Sequence, residues 1–352
     1  MPPKLDIRIV RFEEWPQSDR IAWQSADRPR SRLNSHVGLS RYSSKRRSAL
    51  RRAYGRWLGF LAQRLGVTGI ATGLDHLDDA NLQAFLDHMY ARVSSCTVRG
   101  YVTDLETVVR AMAPGRSFDS LRQATRHTWR TASPERDKTH LVVPARDLAA
   151  LGRSLMDAAA LRRSDLGKAR AYRDGLTIAL LIAAPVRIGN FASIEIGRHL
   201  LKLDHTYRLV FPGPEMKNRR PMECYLSREL GAAIDTYIEQ HRPRLLAQRG
   251  PEPAAEADTA LWISDHGVAL VAKQMSHRIC ERTRKRFGHT VNPHLFRDCA
   301  ATSIAVEDPQ HVGIIPVILG HARPETGERS YNQAGGLEAG RRHQAVLEHL
   351  RR

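Results

Sequence analysis

Apolar residues recur every three or four positions at Leu50, Tyr54, Trp57, Leu58, Leu61 and Leu65. That spacing predicts an amphipathic helix. Ser43 or Ser44 supplies its start, and Gly66 and Gly69 its stop. Asp78 or Asp79 caps a second helix carrying Leu82, Phe85, Leu86 and Met89. Residues 94–97 open a third, with Val98, Tyr101, Val102, Leu105, Val108 and Val109 inward and Pro114-Gly115 as its end. A shorter helix is expected near Leu121. By contrast, residues 1–40 are polar and arginine-rich with no sustained period, and read as an arm or loosely packed segment.

A polar stretch punctuated by Pro134 and Pro144 reads as an interdomain linker. Beyond it Leu148, Leu151 and Leu155 predict a helix. The run from Tyr172 to Ala184 predicts a largely buried one that delivers Pro185-Val186-Arg187 at its end. From Leu200 to Leu226 the period changes to two. Leu201 and Leu203, then Tyr207, Leu209 and Phe211, then Met222, Cys224 and Leu226 predict three short antiparallel strands, with Lys217-Asn218 between the last two. Ser227 caps a helix through Leu230, Ile234, Tyr237 and Ile238, and residues 251–258 form a low-complexity loop. Asp265-His266-Gly267 makes a turn before a basic helix ending at Phe287. Asn292 as N-cap and Pro293 at the first helical position open the next helix. The expected organisation is an N-terminal extension at 1–34, a helical domain at 35–128, a linker at 129–144, a mixed domain at 145–335 and a tail at 336–352.

Charge adds a partner to this picture. The chain of 352 residues has a formal net charge of +18, a field that favours polyanions. Half of the excess lies in residues 1–60, with 14 Lys and Arg against 5 Asp and Glu. Arg46, Arg47, Arg51 and Arg52 share one face of the first long helix. Lys273, Arg278, Arg282, Arg284, Lys285 and Arg286 crowd the later basic helix. Clustering of this kind predicts contacts to nucleic-acid phosphates. Aromatics make up only 6% of the chain, so base-stacking surfaces are not suggested. No run of 18 apolar residues and no apolar signal core occurs, which predicts a soluble, cytoplasmic protein. Cys96, Cys224, Cys280 and Cys299 are scattered and fit no standard zinc spacing, so neither disulfides nor a metal site is expected.

Chemistry concentrates near the C-terminus. His294 and Arg297, three apart, share a helical face in a first turn, where unpaired N–H groups favour an anion. His321 and Tyr331 follow. A phenol can attack a phosphodiester, an arginine can neutralise the developing charge, and histidines can move protons. Arg187, Lys217, His294-x-x-Arg297, Leu319-Gly320-His321 and Tyr331 stand in the order and approximate separations of the tyrosine recombinases (the phage-integrase family). Residues 40–335 resemble that family. The departures are Ala184-Pro185 before the first arginine, Asn190 where an acid is frequent, Asp298 after Arg297, and an interval of ten rather than nine residues from His321 to Tyr331.

The resemblance implies a mostly α fold with a small antiparallel sheet. A helical core-binding (SAM-like) domain would precede a mixed α/β catalytic domain. It also implies roles. Tyr331 would be the nucleophile, leaving a 3′-phosphotyrosyl link and a free 5′-hydroxyl. Arg187 and Arg297 would clamp the non-bridging oxygens, and Lys217 would protonate the leaving 5′-oxygen. His294 would share in proton transfer and His321 would hydrogen-bond the phosphate. No cofactor is implied, since the phosphotyrosine conserves the bond energy. The implied partners are duplex DNA carrying specific sites, further copies of the chain up to a tetramer, and accessory DNA-bending or directionality proteins, in a bacterial cytoplasm at the nucleoid. Val346, Leu347 and Leu350 would let the tail dock on a neighbour or on its own domain. Integration, excision or transposition of a mobile element is the expected use. A type IB topoisomerase and a relative that binds DNA without cutting it are the alternatives.

Overall fold

The computed structural model describes residues 6–28, 38–66, 71–133, 139–250 and 255–319. His321, Tyr331 and the tail from residue 336 lie outside the described residues. The chain divides into two compact units, Met1–Asp137 and Lys138–Arg352.

The first unit is helical. Its described helices are α1 (Gln17–Asp27), α2 (Ser44–Leu65), α3 (Asp79–Tyr90), α4 (Ser95–Met112) and α5 (Asp119–Thr131). The caps follow the sequence. The side chains of Ser43, Asp78 and Ser94 accept hydrogen bonds from the backbone N–H groups of Arg46, Asn81 and Thr97. Such caps satisfy donors that a helix start leaves free. Gly66 ends α2 at φ 82°, a conformation that favours glycine.

Residues 6–28 are not the loose arm that their lack of period suggested. Ile7, Trp15, Trp23 and Ala26 are buried in the core of this unit with Leu50, Tyr54, Trp57 and Phe85. Asp19 anchors α1. Fully buried, it accepts hydrogen bonds from the Tyr54 hydroxyl (2.9 Å), the Gly73 N–H (2.9 Å) and the Thr72 hydroxyl. Residues 7–10 cross α2 at Gly55 and Gly59, and the Val10 N–H donates to the Gly55 carbonyl at 3.0 Å. A Cβ at Gly59 would sit 1.9 Å from the Arg8 carbonyl oxygen, and one at Gly55 2.3 Å from that of Val10. The small aromatic content is thus concentrated: Trp15 packs edge-on to Trp23 at 5.6 Å, and Trp57 edge-on to Phe85 at 5.4 Å.

In the second unit α6 (Ala145–Asp157) packs on α7 (Asp165–Ala183), whose Leu176, Ile178, Leu180 and Leu181 are completely buried. A short helix α8 (Ile188–Ala192) follows Arg187 directly. Strands β1 (Leu200–Leu203), β2 (Thr206–Phe211) and β3 (Met222–Tyr225) form one antiparallel sheet in chain order, with Leu209 opposite Leu200 and Cys224. Tyr207, Leu209 and Phe211 point into the core as alternation predicts. In β1 it is Leu200 that is buried, while Leu203 is exposed.

Helix α9 (Arg228–Thr236) runs through a wide π turn at Tyr237–His241 into α10 (Arg242–Leu246). Pro243 has no N–H, and its ring crowds the carbonyl four residues back, so widening the turn relieves the clash. Two further helices, α11 (Ala255–Thr259) and α12 (Ala272–Phe287), precede α13 (Pro293–Glu307) and α14 (Ile315–Ile318). Of the expected linker, residues 129–131 end α5. Val143 is buried in the second core and its N–H reaches the Cys299 sulfur at 3.3 Å. No described helix is long and apolar enough to cross a membrane.

Candidate active site and nucleic-acid surfaces

Asn292 caps α13 as its sequence predicts. Its side-chain oxygen accepts from the His294 N–H (3.0 Å) and the Leu295 N–H (3.1 Å). The cap sets the helix phase, which leaves His294 exposed in the first turn and turns Arg297 inward at 5% exposure. A buried guanidinium must find acceptors. Arg297 donates to the Pro185 carbonyl at 2.5 Å and to the Leu319 carbonyl. It therefore ties together the end of α7, α13 and the segment leading to His321. Two of its five N–H donors are engaged this way among the described residues.

Pro185 also fixes its neighbour. Two residues on, Arg187 is the N-cap of α8 and is half-buried. Burial, followed by repulsion from Arg187, lowers the Arg297 pKa to about 10, against a smaller opposing pull from Asp298. Arg297 is still charged at neutral pH. Two guanidiniums near enough to repel in a partly desolvated place have the chemistry to hold an anion.

Lys217 lies in the turn between β2 and β3, exposed and, among the described residues, without an ion pair. That turn is fastened to α8, because the Asn190 side chain donates to the Glu215 carbonyl at 3.1 Å. The structure thus ties Arg297 to Pro185, two residues before Arg187, and ties the turn that carries Lys217 to α8 through Asn190. His294 stands on the same helix as Arg297, and the two remaining candidates, His321 and Tyr331, lie outside the described residues. Among the described residues no group of three or more His, Cys, Asp and Glu side chains could hold a metal ion.

The basic faces look different in three dimensions. On α2, Arg46 pairs with Asp104 at 2.6 Å and Arg47 with Asp27 at 3.2 Å. Arg51 lies over the rings of Phe12 and Trp23 at 4.8 and 5.5 Å. Among the described residues, only Arg52 of the four is exposed without such a partner. On α12, Arg278 and Arg282 turn inward. Arg282 donates to Asp174 at 2.8 and 3.1 Å, and Arg278 to Asp265 at 2.6 Å. Completely buried Arg173 bonds both Asp174 and Asp265 at 2.9 Å. Burial alone would raise the Asp265 carboxyl; hydrogen bonds from Arg173 and Arg278 outweigh it and hold it below the usual value. Arg278 and Arg282 are therefore struts fixing α12 to α7. Lys273, Arg284 and Lys285 remain exposed, Lys285 beside Glu281 at 2.8 Å.

Sequence reasoning missed a further surface. On α5, Arg122, Arg126 and Arg130 recur every four residues and line an open groove of about 470 Å³ with Arg110 and Trp129. The Trp129 ring is 58% exposed, and Arg99 lies over it at 4.6 Å. The four-residue arginine spacing was the available signal.

No protein-family model and no curated protein matches the sequence. The fold does find relatives. The XerH site-specific recombinase, solved bound to its difH substrate in a pre-cleavage complex, aligns over 94% of this chain and 97% of its own. The TM-score is 0.56 and the identity 12%. The chain has the tyrosine-recombinase fold. A lambda integrase dimer bound to a COC′ core site aligns over 78% of this chain and 94% of its own at a TM-score of 0.48 and 14% identity. In this fold the mostly helical chain with a small antiparallel sheet is the expected architecture.

Proposed function

We propose that the protein is a site-specific DNA recombinase that cuts and rejoins strands through a 3′-phosphotyrosine on Tyr331. The observation that carries this reading is buried Arg297 bonded to the Pro185 carbonyl, two residues before Arg187 at the start of α8, which brings two cations near enough to repel. Such a pair is stable only at a cost, and a phosphate between them would relieve it. The fold agrees, and Lys217 and His294 sit on elements fastened to the same place.

In the proposed reaction Arg187 and Arg297 hold the two non-bridging oxygens of the scissile phosphate. The Tyr331 oxygen attacks phosphorus as its proton leaves toward His294. The bond from phosphorus to the 5′-oxygen breaks, and Lys217 gives that oxygen a proton. His321 hydrogen-bonds the phosphate throughout. Attack by the freed 5′-hydroxyl of another strand reverses the steps, so rejoining needs no nucleotide. DNA would be held by Arg52, Lys273, Arg284, Lys285 and the α5 groove, with Arg46, Arg47 and Arg51 adding charge from within their pairs. Four copies on two sites, exchange of a mobile element, and a bacterial nucleoid setting complete the proposal.

The test uses a plasmid carrying two copies of a duplex that the protein selects from a random pool, incubated in chelator without ATP. The expected product is a recombinant joined at the selected sites. Relaxed circles from any plasmid, with no recombinants, would instead make it a topoisomerase.

A further inference from the structure

The turn that carries Lys217 is held more firmly than an exposed hairpin connection requires. His199, only 1% exposed, lies just before β1. Its Nδ1 accepts the Glu195 N–H at 3.1 Å, so its Nε2 carries the hydrogen and donates to a Glu215 carboxylate oxygen at 2.8 Å. The imidazole also stacks on Phe211 at 5.5 Å, which fixes its plane. Arg198 donates to the other carboxylate oxygen of Glu215, and Asn190 to its carbonyl at 3.1 Å. Met216, the next residue, is buried in the core. Past Lys217 the chain reverses through Arg219 at φ 56°, and a Cβ at Gly213 would meet the Arg219 carbonyl oxygen at 2.6 Å. Glu215 and Met216 before Lys217 are thus pinned, while the Lys217 side chain is exposed.

We propose that Glu215, gripped by His199 and Arg198 at its carboxylate and by Asn190 at its carbonyl, is a positioning residue that sets Lys217 against the leaving oxygen of the phosphate held by Arg187. The chain of contacts is short. Arg187 begins α8, Asn190 is on its first turn, Asn190 holds Glu215, and Lys217 is two residues further. A general acid gains its effect only within hydrogen-bond reach of the atom it protonates, and a small misplacement is costly. Asn190, where an acidic residue is frequent in the resembling family, thus takes part through its amide, which can donate to a carbonyl as a carboxylate cannot. This inference rests on the proposed role of Lys217 as the acid.

The test compares an ordinary duplex with one in which sulfur replaces the bridging 5′-oxygen at the scissile phosphate. A thiolate leaves without a proton, so its departure needs no acid. Lys217→Ala is the reference, and Glu215→Ala and Asn190→Ala are the variants. On the ordinary duplex Glu215→Ala should cleave about 10- to 100-fold more slowly, a part of the usual general-acid effect, with DNA affinity unchanged. On the sulfur duplex Glu215→Ala and Lys217→Ala should both match the parent enzyme. Asn190→Ala, which removes one bond at a half-buried position, should follow in the same direction and serves if Glu215→Ala does not fold. If Lys217→Ala is rescued by sulfur while the other two stay slow on both duplexes, the positioning role is overturned and Lys217 keeps its own. If Lys217→Ala itself is not rescued, Lys217 is not the acid and both ideas fall.

Discussion

Replacing Asp174 by Asn should unfold the second unit more easily than any surface charge change. Asp174 is 4% exposed and receives hydrogen bonds from Arg173 at 2.9 and 3.2 Å and from Arg282 at 2.8 and 3.1 Å, with Arg278 at 3.9 Å. Four arginines, counting Arg170, share the carboxylates of Asp174 and Asp265. With an amide at 174, one acceptor oxygen and the charge are lost, and Arg173 keeps Asp265 as its carboxylate partner and the Ile263 carbonyl, each at 2.9 Å, while remaining completely buried. Removing one partner of a buried pair costs about 3–5 kcal/mol. The side chains of Arg278 and Arg282 are 27% and 22% exposed and can turn to water, which favours the lower figure. For a unit of this size each kcal/mol moves Tm by about 2–4 °C, so a fall on the order of 6–12 °C is expected. Differential scanning calorimetry of the full chain measures it, with Arg282→Gln as a milder companion. A change within about 1 °C for Asp174→Asn would refute the view that this cluster holds α12 to α7.

Other expectations follow from the same contacts. Asp265 has a folded-state pKa below its unfolded value, so its contribution is complete above about pH 3.9 and is lost as pH falls through the depressed value; acid titration of unfolding should be shallower in Asp265→Asn. Gly59→Ala should destabilise the first unit although alanine favours a helix by about 1 kcal/mol, because its Cβ would strike the Arg8 carbonyl; a raised Tm would contradict that packing. Changing Arg122, Arg126 and Arg130 to Gln should flatten the salt dependence of DNA binding by about 0.9 per lost phosphate contact, whereas Arg282→Gln should alter stability and leave the slope alone. Arg297→Lys keeps the charge but cannot bridge Pro185, Leu319 and a phosphate together, so cleavage should fall about 100-fold or more with binding little changed.

The sequence was most legible where a single element carries its own signals. Ser43 and Gly66 bound α2, Asn292 and Pro293 start α13, and alternation marks β2, because each depends on neighbours in the chain. What stayed hidden depends on distant partners. Residues 7–10 have no period since they lie across α2 rather than coil, and the short helix α1 is masked because its buried face starts with Asp19, which reads as a surface acid until Tyr54 and Gly73 close on it. The Gly55-x-x-x-Gly59 spacing was their one trace. Arg278 and Arg282 looked like DNA contacts because Asp174, more than a hundred residues away, leaves no mark beside them. At the candidate site the order of Arg187, Lys217, His294 and Arg297 was readable from motif, but the bracing by His199 and Glu215 was not, as neither carries a local pattern.

The central claim concerns Tyr331, and mapping the covalent adduct tests it most directly. A nicked duplex bearing the selected site loses a short fragment on cleavage, which traps the enzyme on DNA. Digestion and mass spectrometry of the trapped species should find a 3′-phosphate on Tyr331, and Tyr331→Phe should bind the duplex with no adduct. Binding without any adduct, or an adduct on another residue, would contradict the account.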